Sequence, residues 1–168
     1  MQSSGIYIAL GSNLPYKDFS PRQLLDSTIK TIESFEVGIV AISSFWSSPA
    51  WPDPDQPAYL NAVVQVKADY SPHDLLGILH RIESLYGRIR GERWASRSLD
   101  IDLIDYKGRI VRDDPTLEIP HPRATRRAFV LLPLEEICPQ WTDPETGLQI
   151  GELINNLDPL DVQAMSKL

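Results

Sequence analysis

The chain has 168 residues, 42% of them hydrophobic, and a formal net charge of −7. A chain of that size forms one globular domain that buries roughly 70% of its unfolded surface without covalent staples. Its single cysteine, Cys138, excludes an intrachain disulfide and a zinc–thiolate cluster, and the acidic balance argues against nucleic-acid or membrane partners.

Residues 6–10 form an apolar run too short, and without the basic lead, for a signal peptide, so a cytoplasmic protein is expected. The run ends at Gly11-Ser12-Asn13 and reads as a buried strand entering a loop. Ser20-Pro21-Arg22-Gln23 then supplies an N-cap, a proline at the first helical position and a capping-box glutamine. Leu24, Leu25, Thr28, Ile29, Ile32 and Phe35 follow at helical spacing. Residues 37–46 read as a second strand, and the proline-rich run 49–57 as a long loop of the kind that carries function.

Residues 59–68 alternate, with Leu60, Ala62, Val64 and Val66 on one face and Tyr59, Asn61, Val63 and Gln65 on the other, which predicts a third strand. Ser71-Pro72 opens a second amphipathic helix, stopped by Gly87. Residues 98–106 predict a fourth strand, turned by Lys107-Gly108 into a hairpin with Ile110-Val111. Prolines 115, 120 and 122 break regularity before a helix over 124–137. Strand, helix, strand, strand, helix, strand is the split βαβ order of a ferredoxin-like fold. The expectation is an α+β, three-layer αβα domain spanning 1–168, with an antiparallel sheet and an appended hairpin and helices.

The chemistry concentrates between residues 88 and 103. Asp100 and Asp102 stand two apart on a strand, so both carboxylates face one side and can grip hard cations together. Residues 88–97 carry four arginines against one glutamate, a net of +3 on an acidic chain. Such a local cationic island suits a small anionic ligand better than a polynucleotide, which favours a broad basic face. The plain alternative is a surface strand alternating Asp with Ile and Leu beside a solvated arginine loop. After Pro133 the charge is strongly acidic, with Lys167 the only base against seven carboxylates.

Ordered along the chain are Tyr7-Ile8-Ala9-Leu10-Gly11-Ser12-Asn13-Leu14, Asp55-Gln56-Pro57-Ala58-Tyr59-Leu60-Asn61-Ala62, Arg81-Ile82-Glu83, Gly87-Arg88, Glu92-Arg93-Trp94, Arg97-Ser98-Leu99-Asp100-Ile101-Asp102 and Pro120-His121-Pro122-Arg123, followed by Arg127, Phe129 and Pro133-Leu134. With this set the chain resembles the 6-hydroxymethyl-7,8-dihydropterin pyrophosphokinases, folate-pathway enzymes that transfer a pyrophosphoryl group from ATP to a pterin alcohol. The resemblance spans nearly the whole chain.

It implies two Mg2+ ions on Asp100 and Asp102, with ATP as co-substrate. It implies catalytic roles for Arg88, Arg97, Asp100 and Asp102, and nucleotide contacts at His80, Glu83, Arg88, Trp94, Arg97, Ile101, His121 and Arg127. Pterin contacts would come from Ser48, Pro49, Tyr59, Asn61, Asp100 and Phe129. His80 stands where a relative can carry Gln, and Thr116 where some carry a nucleotide-binding Arg. A monomer with no nucleic-acid or membrane partner is expected. Arg97 and the loop around it are expected to act more in turnover than in binding ATP. Asp-x-Asp also occurs in glycosyltransferases and aspartyl-phosphate phosphatases, and a ferredoxin-like module that only binds a small molecule is a further alternative. AMP formation dependent on a pterin alcohol separates these.

Overall fold

Residues 5–88, 98–113 and 115–168 are described by a computed structural model of the chain. Trp94 and Arg97, together with Arg90 and Arg93, fall outside them. The order is β1 (Ile6–Ser12), α1 (Pro21–Ser34), β2 (Gly38–Ile42), β3 (Trp46–Ser48), β4 (Tyr59–Lys67), α2 (Pro72–Leu85), β5 (Asp100–Tyr106), β6 (Val111–Asp113), β7 (Leu117–Ile119), α3 (Ala128–Ile137), α4 (Ile150–Asn155), α5 (Pro159–Gln163) and β8 (Ser166–Lys167).

The main sheet runs β5-β1-β4-β3-β8, with β2 pairing on β4 beside β3, and all its pairings are antiparallel. This is the split βαβ arrangement. Strand alternation divides its side chains between two cores. Ile6, Ile8, Leu10, Val64, Val66, Ile101 and Leu103 pack with Leu24, Leu25, Ile32, Leu75, Leu79 and Ile82 of α1 and α2. Tyr7, Ala9, Val63 and Ile104 pack on the other face with Val130, Leu131 and Leu134 of α3 and with Trp141, Ile150 and Leu153. The result is three layers, helix, sheet, helix.

The caps read from the sequence form. Gln23 N donates to Ser20 Oγ at 3.3 Å and Ser20 N to Gln23 Oε1 at 3.0 Å, closing the box at α1. Ser71 Oγ accepts from Asp74 N at 3.1 Å at α2. Gly87 after α2 has φ +86, and a Cβ there would lie 2.2 Å from the Tyr16 ring, so only glycine lets the chain turn against that ring.

Three expectations are corrected. Residues 37–46 do not make one strand: at Ser43 the backbone N still donates to Val63 O at 3.0 Å, but the side-chain Oγ accepts from Val63 N at 2.9 Å, and β2 and β3 separate there. The turn at Lys107-Gly108 does not pair β5 with the following segment; β6 instead pairs with β7, after a turn in which Thr116 N donates to Asp113 O at 2.6 Å. The helix over 124–137 is a 3-10 turn, Ala124–Arg126, then Arg127 in extended conformation at φ −122 and ψ 112, and then α3. The C-terminal α4, α5 and β8 had no sequence-based expectation.

A register shift between Tyr7 and Ile8 lets both Ile104 and Asp105 face the α3 layer. Asp105 is fully buried there, accepting from Trp141 Nε1 at 2.9 Å and Gly108 N at 3.0 Å. Burial raises its pKa, against the lowering effect of these donors. Ionising Asp105 in the folded state therefore costs stability as pH rises through its folded pKa, and costs nothing below the unfolded value. Trp141→Phe removes a donor and widens that gap. We expect it to destabilise the fold by about 1–3 kcal/mol at neutral pH and by less at acid pH, measured by urea unfolding at the two pH values.

Candidate active site

Directly opposed residues in an antiparallel sheet share a face, and the pairing here sets one row across five strands. Asp100 on β5 is opposite Gly11 on β1, Gly11 opposite Asn61 on β4, Asn61 opposite Trp46 on β3, and Trp46 opposite Lys167 on β8. Asp102 follows in the next row with Ala9 and Val63, and Tyr59 with Ser48 in the row on the other side. All lie on the α3 face.

Above this row opens a cleft of about 550 Å³. Ser48, Pro49, Tyr59, Asn61, Asp100, Asp102, Arg127 and Phe129 line it, so eight of the residues singled out from sequence converge there. Trp51, from the proline-rich loop, stands at its mouth, 81% exposed. That loop is tied to the end of β1 by Asn13 Nδ2, which donates to Pro57 O at 3.2 Å.

At the apolar end, Asn61 is buried and its amide is oriented. Nδ2 donates to Ser48 Oγ at 2.8 Å and to Trp46 O at 3.3 Å. Oδ1 lies over Gly11 as the acceptor of that floor. Tyr59 and Phe129 are half-buried beside it, and the Arg127 guanidinium sits 5.3 Å from the Phe129 ring centroid.

At the polar end, the carboxylates of Asp100 and Asp102 are 35% and 37% exposed. Arg88 Nη1 approaches Asp100 Oδ1 at 3.1 Å and also bonds Glu83 Oε1. Arg127 Nη1 lies 3.6 Å and His121 Nε2 3.9 Å from Asp102 Oδ2. Arg123 N donates to His121 Nδ1 at 3.2 Å, so the neutral ring carries its proton on Nε2, toward Asp102. Burial lowers the His121 pKa, Asp102 opposing and Arg127 and Arg123 adding to the fall, and the ring is neutral at neutral pH.

His80, Glu83, Arg88, Ile101 and His121 do not line this cleft. Ile101 points its side chain into the α1/α2 core, where it is 2% exposed. Glu83 is fully buried and accepts from Ile101 N at 2.8 Å, so it ties β5 to α2 and holds Arg88 against Asp100. His80 borders a separate shallow depression with Phe35, Arg81, Ser84 and Leu85. These residues flank β5 where it forms the rim of the sheet, on the α2 side, except His121, whose N donates to Ile104 O at 2.9 Å. Sequence reasoning missed Arg126, Asp161, Ala164 and Met165, which also line the cleft; the last three come from the tail, where short polar helices leave no periodic signal.

Residues 7–139 match the family described as 7,8-dihydro-6-hydroxymethylpterin-pyrophosphokinase (HPPK). The chain belongs to this pyrophosphokinase family. A Synechocystis protein named 2-amino-4-hydroxy-6-hydroxymethyldihydropteridine pyrophosphokinase is 39% identical over 163 residues, covering 94% of this chain and 78% of its own. One of the same name from Methylorubrum extorquens is 35% identical, covering 94% and 96% respectively. Among solved structures, Plasmodium falciparum HPPK-DHPS with pteroate (A437G) superposes with a TM-score of 0.72 at 13% identity, over 99% of this chain and 47% of that one. That likeness establishes the fold, and the chain spans less than half of the Plasmodium chain.

Because Glu83 joins a buried backbone amide to a guanidinium, its loss leaves both without that acceptor. Glu83→Ala is expected to destabilise the fold by about 3–5 kcal/mol, read from the urea midpoint, with activity falling in the fraction that remains folded.

Proposed function

We infer that this cleft carries out the family's reaction, pyrophosphoryl transfer to the hydroxymethyl group of 6-hydroxymethyl-7,8-dihydropterin, with ATP as donor and AMP as product. The observation that supports the reading best is one cleft lined by an oriented amide and two aromatic rings at one end and by two carboxylates, each beside an arginine, at the other. A flat heterocycle with a mixed donor and acceptor edge fits the first, and a polyphosphate with hard cations fits the second.

In this reading the pterin stacks between Tyr59 and Phe129. Asn61 Oδ1 accepts from its ring edge, and Ser48, whose Oγ already accepts from Asn61, offers its own proton; the backbone at Pro49 borders the same edge. The nucleotide lies along the β5 rim between His80, Glu83 and Ile101 on one side and His121 and Arg127 on the other, with Arg88 beside Asp100. Trp94 and Arg97 would join from the 88–97 segment. The hydroxymethyl oxygen attacks the β-phosphorus, the bridge to the α-phosphate breaks, AMP leaves and the hydroxyl proton is released. No side chain forms a covalent intermediate. Arg127, Arg88 and the Nε2–H of His121 stabilise phosphate charge while the aromatic pair holds the alcohol in line.

Among the described residues no group of three or more His, Cys, Asp and Glu gathers to hold a metal. Two carboxylates on one strand, open to a cleft, suit ions whose other ligands are phosphate oxygens and water, and on that donor set Asp100 and Asp102 would hold two Mg2+ ions. Bound there, magnesium supplies charge neutralisation on the triphosphate. No helix among the described residues is long and apolar enough to cross a membrane, and we propose a monomeric cytoplasmic enzyme of one domain, 1–168.

AMP release that requires both ATP and the pterin alcohol is the direct test. Asp100→Ala and Asp102→Ala are each expected to lower turnover about a hundredfold or more while the circular dichroism spectrum is kept; near-normal turnover at saturating magnesium and ATP would overturn the assignment. Asn61→Ala is expected to weaken pterin binding by about 1–3 kcal/mol and to leave the affinity for an ATP analogue nearly unchanged, both by calorimetry.

A further inference from the structure

The pterin end of the cleft has a wall that the sheet ladder does not fully support. β3 is three residues long and follows the break at Ser43–Phe45, yet it carries Ser48 and presents Trp46 O to Asn61. Its outer edge is covered by β8, two residues long, with Leu168 N donating to Phe45 O at 2.9 Å. Strands this short hold position poorly by themselves.

A single side chain gathers the parts. Glu136 Oε1 accepts from Ser44 N at 2.9 Å and Ser44 Oγ at 2.7 Å, Oε2 accepts from Trp46 Nε1 at 3.1 Å, and Lys167 Nζ lies 3.6 Å from Oε1. Lys167 also stands 5.7 Å from the centroid of the Trp46 ring. Burial acts to raise the pKa of Glu136, but these donors hold it below the ordinary carboxylate range. Glu136 follows Phe129 on α3 by two turns, so one helix face carries both the ring that borders the cleft and the carboxylate that pins the opposite wall. The tail so clamped also brings Asp161, Ala164 and Met165 to the cleft, from beyond the 7–139 family match.

We propose that Glu136 is a positioning residue for pterin recognition, clasping β3 and the C-terminal β8 to α3 so that Ser48 and Asn61 stand at a fixed spacing from Phe129. The proposal rests on the pterin reading of the cleft. Among the described residues the contacts given for the clasp reach Ser44, Trp46 and Lys167 and none on the β5 rim, so its loss falls on the heterocycle and spares the nucleotide.

The test is calorimetric titration of 6-hydroxymethylpterin in the presence of magnesium and a non-hydrolysable ATP analogue, and of the analogue alone, on four variants. Glu136→Ala is expected to raise the pterin dissociation constant about tenfold and to leave that of the analogue within about twofold. Glu136→Gln keeps the oxygen that Ser44 uses and is expected to stay within about threefold of the parent. Trp141→Phe, destabilised at a site remote from β3, is expected to leave pterin affinity unchanged. Asn61→Ala separates the two levels of the argument: if it weakens pterin binding and Glu136→Ala does not, the clasp is overturned and the site reading stands; if Asn61→Ala has no effect, the site reading fails. Equal loss of pterin and analogue in Glu136→Ala, or a pterin loss in Trp141→Phe as large, would show a structural role only and overturn the proposal.

Discussion

Register is the constraint on which the rest depends. Because successive strand residues face opposite ways, a slip of β5 by one residue against β1 would turn Asp100 and Asp102 into the α1/α2 core and bring Ile101 and Leu103 out to the cleft. Burying two carboxylates in an apolar layer costs several kcal/mol each, so the core that stabilises the fold also specifies the face on which the acids stand. The same holds one strand further, where Val64 and Val66 fix β4 and thereby aim Asn61 and Tyr59. Function here uses the polar half of an alternation whose apolar half is the core.

Electrostatics follow from that placement. Two acids on one strand repel each other, and the chain sets donors borne by different elements around them: the cations Arg88 from the end of α2 and Arg127 from the break before α3, and the neutral His121 ring from the loop after β7. Each cation lies within reach of a carboxylate and beside the open cleft. In the reading proposed above, an arriving polyphosphate with its metal ions would take over both partners, the guanidinium groups turning to phosphate oxygens and the carboxylates to the metal. The acid and base groups are thus held in mutual contact by the fold before substrate arrives.

Much of this was legible in sequence because it rests on local rules. The capping box at α1, the N-cap at α2, the alternation of β4 and the i, i+2 spacing of Asp100 and Asp102 each follow from backbone geometry alone. The departures come where a side chain overrides the backbone pattern. Ser43 takes a ladder position with its hydroxyl and splits an apparently continuous strand, and Arg127 adopts an extended conformation inside an apparently continuous helix. The hairpin also moved: β5 pairs with β1 along one edge and forms the rim of the sheet with the other, while the short segments beyond it pair with each other. The resemblance named eight of the eighteen residues that line the cleft, but Ile101 and Glu83 turned out to sit inward, at the joint between β5 and α2.

The break at Arg127 shows why such overrides gather at a site. Had the helix run unbroken from Ala124, its register would have carried Arg127 and Phe129 around the axis by about 100° per residue, and the two could not both have faced the acids and the sheet. The extended residue resets the phase, so that α3 starts with its apolar face on Val63 and Ala9 and with Phe129 at the cleft, while Arg127 reaches Asp102 from just before the first turn. Glu136 then falls on the face set by that start, two turns on, over Ser44 and Trp46. One backbone irregularity therefore aligns a cation at the polar end, a ring at the apolar end and an anchor behind the opposite wall, and a sequence that restored regular helix there would gain local propensity while dispersing all three.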